Sequence, residues 1–575
     1  MKFSSQCFLG LLASSMMMAT GVVGQSCSAT DPTCASTTPY EMDFVTPKLT
    51  LHGKVIESHK DAKDAVIMGC CVSDDAGLKP KEIGKIPQMN SELTMQVLEN
   101  AKKAWKGGSG TWPQMSLKER IKAITNLLDE LKTQREVIVR TLMWEIGKNR
   151  KDAESEFDRT LQFCNQLLET ISKHPEYHGH WESVGSTQAF IKRAAIGIIM
   201  CLGPMNYPLN ETYATLIPAL LMGNVAIMKV PTVGGLSHLL TMEAFAKTLP
   251  PGAMNFVSGR GRETMPTLMK TGDIDGLAFI GGSRAADELI KQHPHPHRLK
   301  VFLQLEAKNM GIFLPSIFDN KDEMSKALDQ SILGALSFNG QRCTALKLFF
   351  APKKQGKSFA SMMAKRVEEM TVGLPWQDWS SDESKSPSYS KITPLHDRKK
   401  VEYMQKLVQD AVSKGAQIIN KNGGEVIGGS QSSLMVPAVV YPVTPDMDLY
   451  YEEQFGPIIP IATYDSLDTI LDYGHNGAFG QQVAIFASES SSDDTAMLVD
   501  QFSSVFGKIN INSQCGRSPD TIPFSGRRSS AMGVMSVQHA LQEFSIPTVV
   551  AYKESPSTAK LVKKVESSSK FLESL

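Results

Sequence analysis

The run Ala194-Ala195-Ile196-Gly197-Ile198-Ile199-Met200-Cys201-Leu202 carries no charge, stops at Gly203-Pro204 and continues as Met205-Asn206-Tyr207-Pro208. A short, continuously apolar stretch ended by Gly-Pro reads as a strand buried on both faces that enters a turn. Downstream, residues 213–221 have helical character, Gly223 closes them as a C-cap, and 225–230 form a second buried strand. Residues 277–280 before Gly281-Gly282, then 301–305 and 312–314, repeat the pattern. Upstream, apolar residues recur at helical spacing over 89–105, 117–144 and 154–171. Buried strands alternating with helices imply a parallel sheet, hence an α/β protein.

Composition narrows the function classes. A chain of 575 residues exceeds one compact core, so two or three domains are expected. Sixty basic residues balance sixty acidic ones, which argues against a nucleic-acid partner, since phosphate neutralisation needs a basic excess. Nine dispersed cysteines, with no C-x-x-C pair and no His/Cys cluster, give no metal site and no disulfide framework, although Cys27 and Cys34 can pair after export. Lys2 followed by an uncharged apolar stretch over 8–23 reads as a secretory signal over 1–24, too short for a stable span. No other stretch is apolar enough for a membrane span. Residues 25–47, rich in Ser, Thr and Pro, read as a flexible lead-in.

Four segments carry chemistry. In Phe338-Asn339-Gly340-Gln341-Arg342-Cys343-Thr344, a cysteine after a glycine turn and beside an arginine has the features that expose a thiol and lower its pKa. Asn206, held at a strand end between two prolines, can aim its amide at an oxyanion, with the backbone N–H of Cys343 as second donor. Lys229 and Thr232 stand at the carboxyl end of a strand, where α/β folds bind ligands. Glu453-Gln454-Phe455-Gly456-Pro457 places a carboxylate before a turn. Taken singly, each has a plain structural reading: a buried cysteine, an Asx turn, a solvated lysine, a surface turn.

Together and in this order, over 48–550, the segments F-x-G-Q-x-C, P-x-N-x-P and E-x-F-G-P resemble the aldehyde dehydrogenase superfamily. The resemblance implies a Rossmann-like cofactor domain (48–176 and 197–305), an α/β catalytic domain (306–527), a β oligomerisation arm (177–196 and 528–555) and a C-terminal tail (556–575). It implies Cys343 as nucleophile and Asn206 as oxyanion donor. Lys229 would contact the adenosine ribose and Glu453 the nicotinamide ribose. Phe455, Gly259, Gly281 and Gly282 would also line the cofactor, with Gly282 standing where serine is usual. A narrower resemblance is to the non-phosphorylating, NADP-dependent glyceraldehyde-3-phosphate dehydrogenases. That branch holds the substrate phosphate with three arginines and a tyrosine, which Arg159, Tyr207, Arg342 and Arg517 match. Thr232, neutral where many NAD-preferring members have glutamate, favours NADP, with NAD the alternative.

One departure affects the mechanism. The family motif E-L-G-G-K reads here Gln304-Leu305-Glu306-Ala307-Lys308, so an amide occupies the position of the deacylating base. Glu306 lies two residues on, about 6–7 Å along an extended segment. It can act through a second water, or be a structural carboxylate. The expected activity is thus oxidation of a small, phosphorylated aldehyde to the acid through a Cys343 thioester. A coenzyme A-acylating enzyme, a dehydrogenase of non-phosphorylated aldehydes and a lapsed scaffold are the alternatives. A homodimer or homotetramer is expected from the resemblance. The leader points to the endoplasmic reticulum lumen or a plastid rather than the exterior, with a cytoplasmic enzyme as alternative.

Overall fold

A computed structural model describes residues 40–70, 72–74, 77–380 and 386–573. The signal reading over 1–24, the Cys27–Cys34 pairing and most of the lead-in lie outside the described residues. The end of the lead-in is docked rather than loose. Trp144 donates its indole N–H to the Tyr40 carbonyl at 2.8 Å, and Val45 is buried and bridges to Gly84. Burying Val45 and bonding these backbone groups act against the ordering cost of the segment.

The anticipated strand at 194–202 is two elements. Ala194 ends the strand Thr187–Ala194, and a new strand, Ile198–Leu202, begins after Gly197. A Cβ on Gly197 would collide with the Asp275 carboxylate, whose Oδ2 accepts the Ile198 N–H at 2.9 Å. The apolar pattern hides this break, because both sides of it are apolar. The helical stretch at 117–144 is likewise two helices, Leu117–Thr133 and Arg135–Ile146, parted at Gln134. The stretch at 154–171 lies inside a longer helix, α1 (Arg150–Lys173), capped by Asn149.

Ile198–Leu202 is central in a six-stranded sheet. The order is Met254–Val257, Val225–Lys229, Ile198–Leu202, Gly276–Ile280 and Lys300–Gln304, all parallel, with Ala531–Met532 antiparallel at the edge. Helices α2 (Pro208–Leu221), α3 (Leu236–Thr248) and α4 (Ser283–Gln292) connect these strands. Strand order reverses between Ile198–Leu202 and Gly276–Ile280. Ligands of open α/β sheets bind beyond the carboxyl ends of the strands at such a point. A second, seven-stranded sheet runs in the order Gln417–Ile418, Ala438–Tyr441, Ile458–Tyr464, Leu346–Pro352, Asn309–Phe313, Gln482–Phe486 and Lys508–Ile511. Only its first strand is antiparallel. Helix α5 (Lys321–Leu336) packs beside this sheet and leads into the cysteine segment.

A three-stranded sheet of Ile546–Lys553, Thr187–Ala194 and His180–Val184 stands apart from both. Its strand Ile546–Lys553 is exposed almost throughout. The tail is folded: Pro556–Glu566 is a helix capped by Ser555, and Leu572 is buried. Lys192 donates to the carbonyls of Phe571 (2.9 Å) and Glu573 (3.1 Å). No described helix is long and apolar enough to cross a membrane.

Candidate functional site

A cavity of about 1090 Å³ opens where the strand order reverses, between the two large sheets. Its walls include Asn206, Tyr207, Gly281, Gly282, Gln304, Glu306, Cys343, Glu453 and Phe455, together with Arg159, Arg342 and Arg517. Segments far apart in sequence thus share one space. Lys229, Thr232 and Gly259 are not on its walls. They stand outside it, at or just past the carboxyl ends of neighbouring strands.

The cysteine is presented by a tight turn. Phe338, Asn339 and Gly340 all have positive φ, a conformation that costs non-glycine residues energy. The Asn339 side chain offsets this by accepting the Thr393 N–H at 2.9 Å and donating to the Thr393 hydroxyl at 3.1 Å. Only glycine fits at 340, because a Cβ there would lie 2.7 Å from the Gly456 carbonyl oxygen. The cysteine motif and the Glu453–Pro457 turn are therefore in direct contact. Asn309 holds the Cys343 carbonyl at 2.7 Å.

Asn206, almost fully buried, donates from Nδ2 to the Gln341 carbonyl at 2.7 Å. That bond fixes the amide two residues from Cys343 and uses one of its two N–H groups. Gly203 permits the approach of α2, since a Cβ would sit 1.6 Å from Thr212 Oγ1. The first turn of α2 is clamped by Glu156 of α1, which accepts the N–H groups of Leu209 (3.0 Å) and Asn210 (3.4 Å). Glu156 pairs with Lys148, and neither side chain is exposed. The Lys148 ammonium also lies 3.4 Å from the Tyr207 ring centre.

The expectation of a lowered thiol pKa is corrected. Burial pushes the Cys343 thiol up to about 11, the carboxylates Glu211 and Glu453 raise it, and Lys347 opposes them. Arg342 does not supply the anticipated help. Its guanidinium donates to the carbonyls of Leu333 (3.1 Å) and Gly334 (2.8 Å) near the end of α5.

Arg159 and Arg517 are charge-compensated by carboxylates that carry no signal in the sequence. Arg159 makes a two-pronged bond to Asp520, at 3.0 and 2.7 Å. Arg517 lies 2.7 Å from Glu211 and 3.2 Å from Asp520. None of its three guanidinium nitrogens makes an aligned hydrogen bond, so buried donors remain for an oxyanion. Glu453 pairs with Lys347 and accepts the Ala307 N–H at 3.2 Å, while Lys347 sits 4.7 Å from the Phe455 ring centre. Lys347, Glu211 and Asp520 were not singled out from the sequence. Lys347 follows Cys343 by four residues, a spacing that could have found it; the two carboxylates gave no local signal.

Gln304 is 3% exposed, and neither atom of its amide has a partner. Glu306 turns away from it: its Oε2 accepts the Ser283 N–H at 2.8 Å, at the start of α4. Lys308 anchors the Glu453 segment, donating to the Glu452 carbonyl and Gln454 Oε1, both at 2.6 Å. Lys229 is buried, bonded at 2.5 Å to the Val230 carbonyl, and burial lowers its pKa to about 8. Among the described residues no carboxylate pairs with it, and no group of His, Cys, Asp and Glu is arranged to hold a metal ion.

The profile of the aldehyde dehydrogenase family matches residues 75–550. An NADP-dependent glyceraldehyde-3-phosphate dehydrogenase of Streptococcus equinus is 28% identical over 469 residues, covering 80% of this chain and 91% of that one. The enzyme of that name from Pisum sativum is 26% identical, covering 82% and 90%. The crystal structure of such a dehydrogenase from Bacillus halodurans, complexed with NADP, superposes with a TM-score of 0.77. It is 25% identical, with 90% of this chain and 100% of that one covered.

Proposed function

The chain belongs to the aldehyde dehydrogenase family, and on that premise we propose that it oxidises a small phosphorylated aldehyde, such as glyceraldehyde 3-phosphate, to the acid with NADP. The observation carrying this reading is the single cavity shared by Cys343, Asn206 and the arginines 159, 342 and 517. The relatives named for that activity support the substrate and cofactor choice.

The residues fit a dinucleotide. The strand Gly276–Ile280 passes through Gly281-Gly282 into α4, whose first turn has no cap from its own N-cap residue. A Cβ on Gly282 would meet only the Glu306 carboxyl group, whose Oε1 lies 3.0 Å away. The buried ammonium of Lys229, which has no carboxylate partner among the described residues, suits a polar or anionic group, and the exposed, neutral Thr232 leaves room for a 2′-phosphate. Glu453 would hold the nicotinamide ribose and Phe455 the ring. The cofactor, when bound, supplies the hydride acceptor that converts thiohemiacetal to thioester.

The protein's own residues do the rest. The Cys343 sulfur, having lost its proton, bonds to the carbonyl carbon. The free N–H of Asn206 and the Cys343 backbone N–H donate to the oxyanion. Arg517, Arg159, Arg342 and Tyr207 hold the phosphate, Arg517 through its unaligned donors and Arg342 through its unpartnered Nε. Water then adds to the thioester, with Gln304 orienting it and Glu306 taking its proton, and the acid and the Cys343 thiolate are released. Gln304 at the base position also favours a second reading, transfer of the acyl group to coenzyme A.

Steady-state kinetics with glyceraldehyde 3-phosphate and glyceraldehyde, NADP and NAD, with and without coenzyme A, tests all of this. Cys343→Ala should abolish NADPH formation while NADP still binds, and Arg517→Ala should selectively impair the phosphorylated substrate. Undiminished turnover in Cys343→Ala would refute the assignment. The exposed strand Ile546–Lys553, with Ile546 and Val549 facing solvent, supports a homodimer or homotetramer, testable by light scattering. Entry into the secretory route, towards the endoplasmic reticulum lumen or a plastid, rests on residues 1–24. A full-length fluorescent fusion found in the cytosol would refute it.

A further inference from the structure

We infer that Glu306 is a displaceable internal anion: it occupies the diphosphate seat at the start of α4 on the cavity wall and, once displaced, turns towards Cys343 the carboxylate that Gln304 lacks. This rests on the proposed reading of the cavity as a dinucleotide site. The first turn of a helix after a strand and a glycine pair is an anion seat, because its backbone N–H groups lack intrahelical partners. Here that seat is filled from within, by the bond from Ser283 N–H to Glu306 Oε2. On the Gly282 side, Glu306 Oε1 is the nearest atom to where a side chain would begin.

The second observation is independent. The Gln304 amide is buried on the cavity wall with both polar atoms unpartnered, a costly state unless a ligand or water completes it. An amide can orient water but cannot accept its proton. The carboxylate that could is not among the strongest charges acting on the Cys343 thiol, which come from Glu211, Lys347 and Glu453. Any displacement of the carboxylate is a side-chain rotation, because its backbone is held. The backbone at Glu306 is pinned by the Ser530 hydroxyl on the Glu306 carbonyl (2.8 Å) and by the Ala307 N–H on Glu453.

In deacylation the displaced carboxylate takes a proton from water as the hydroxyl oxygen bonds to the thioester carbon. The C–S bond breaks, and the Cys343 thiolate leaves with the electron pair. One residue thus opposes cofactor binding and promotes hydrolysis, so its loss should move the two in opposite directions. Glu306→Gln keeps an acceptor for Ser283 and removes the charge, and Glu306→Ala removes both.

The test titrates NADPH by fluorescence into wild type and both variants, each carrying Cys343→Ala. It then follows the NADPH burst and the later steady rate in the variants with Cys343 intact. The expected result is a Kd at least fivefold tighter in Glu306→Gln, a burst of unchanged amplitude and a steady rate at least a hundredfold lower. Inorganic pyrophosphate should likewise bind the variant more tightly. Weaker or unchanged binding, or a steady rate equal to wild type, overturns the inference. Failure of the wild type to bind NADPH at all would instead overturn the dinucleotide reading.

Discussion

Carrying the pH across the titration of Cys343 tests the account of the thiol directly. With the thiol held at about 11 rather than the ordinary 9.0, about one cysteine in a thousand is ionised at pH 8, against about one in ten for an unperturbed group. Alkylation by iodoacetamide, which needs the thiolate, should therefore run about a hundredfold below the unperturbed rate at pH 8. It should keep rising about tenfold per pH unit until near pH 10. Peptide mass spectrometry separates Cys343 from the other cysteines; Cys164, Cys201 and Cys515 are buried, with thiols pushed up to about 12. Glu211→Gln removes the largest of the charges that raise the thiol, so its rate at pH 8 should exceed wild type. A wild-type rate that levels off below about pH 9 would show a preformed thiolate and refute the reasoning.

Three further outcomes are expected. Asn206→Ala should lower kcat by about a hundred- to a thousandfold, the usual cost of one oxyanion donor, with the melting profile checked in parallel. Glu211→Gln should also free Arg517. A unit charge at 4 Å is worth about 4 kcal/mol at an effective dielectric of about 20, and because Asp520 still neutralises part of Arg517 only about 1–1.5 kcal/mol reaches the phosphate. The kcat/KM ratio of glyceraldehyde 3-phosphate over glyceraldehyde should then rise about tenfold; no change would mean the phosphate lies elsewhere. Lys148→Met leaves Glu156 buried without its cation and should destabilise the fold by about 3–5 kcal/mol in urea melts. Lys148→Met combined with Glu156→Leu should cost less than the two single losses added together.

The parts of the site legible in the sequence are those set by short, local requirements. Gly340 and Gly203 are glycines because backbone or a helix passes too close for a Cβ, and the motifs around Cys343 and Asn206 record that. The α/β alternation was visible for the same reason: fully buried strands leave unbroken apolar runs. What escaped depends on contacts between distant segments. Asp520 meets Arg159 across 361 positions, and Glu211 reaches Arg517 from another element, so neither pairing has a local signature. The raised thiol reflects surroundings assembled only on folding, and the adjacent Arg342, which looks helpful in the primary structure, turns one guanidinium nitrogen to the end of α5. The seat taken by Glu306 depends on a side-chain rotamer that no spacing encodes.

The clamp of Glu156 on the first turn of α2 has a practical consequence for genetics. In a random loss-of-function screen, lesions scattered along the interior face of α1 would score as severely as changes in the catalytic centre. Neighbours such as Ala153 and Thr160, both buried, would slacken the grip on Asn206 and Tyr207 without touching either. Such alleles would be temperature-sensitive, whereas loss of the sulfur at 343 would be indifferent to temperature. Growth at two temperatures would therefore sort supporting positions from chemical ones before any enzyme is purified.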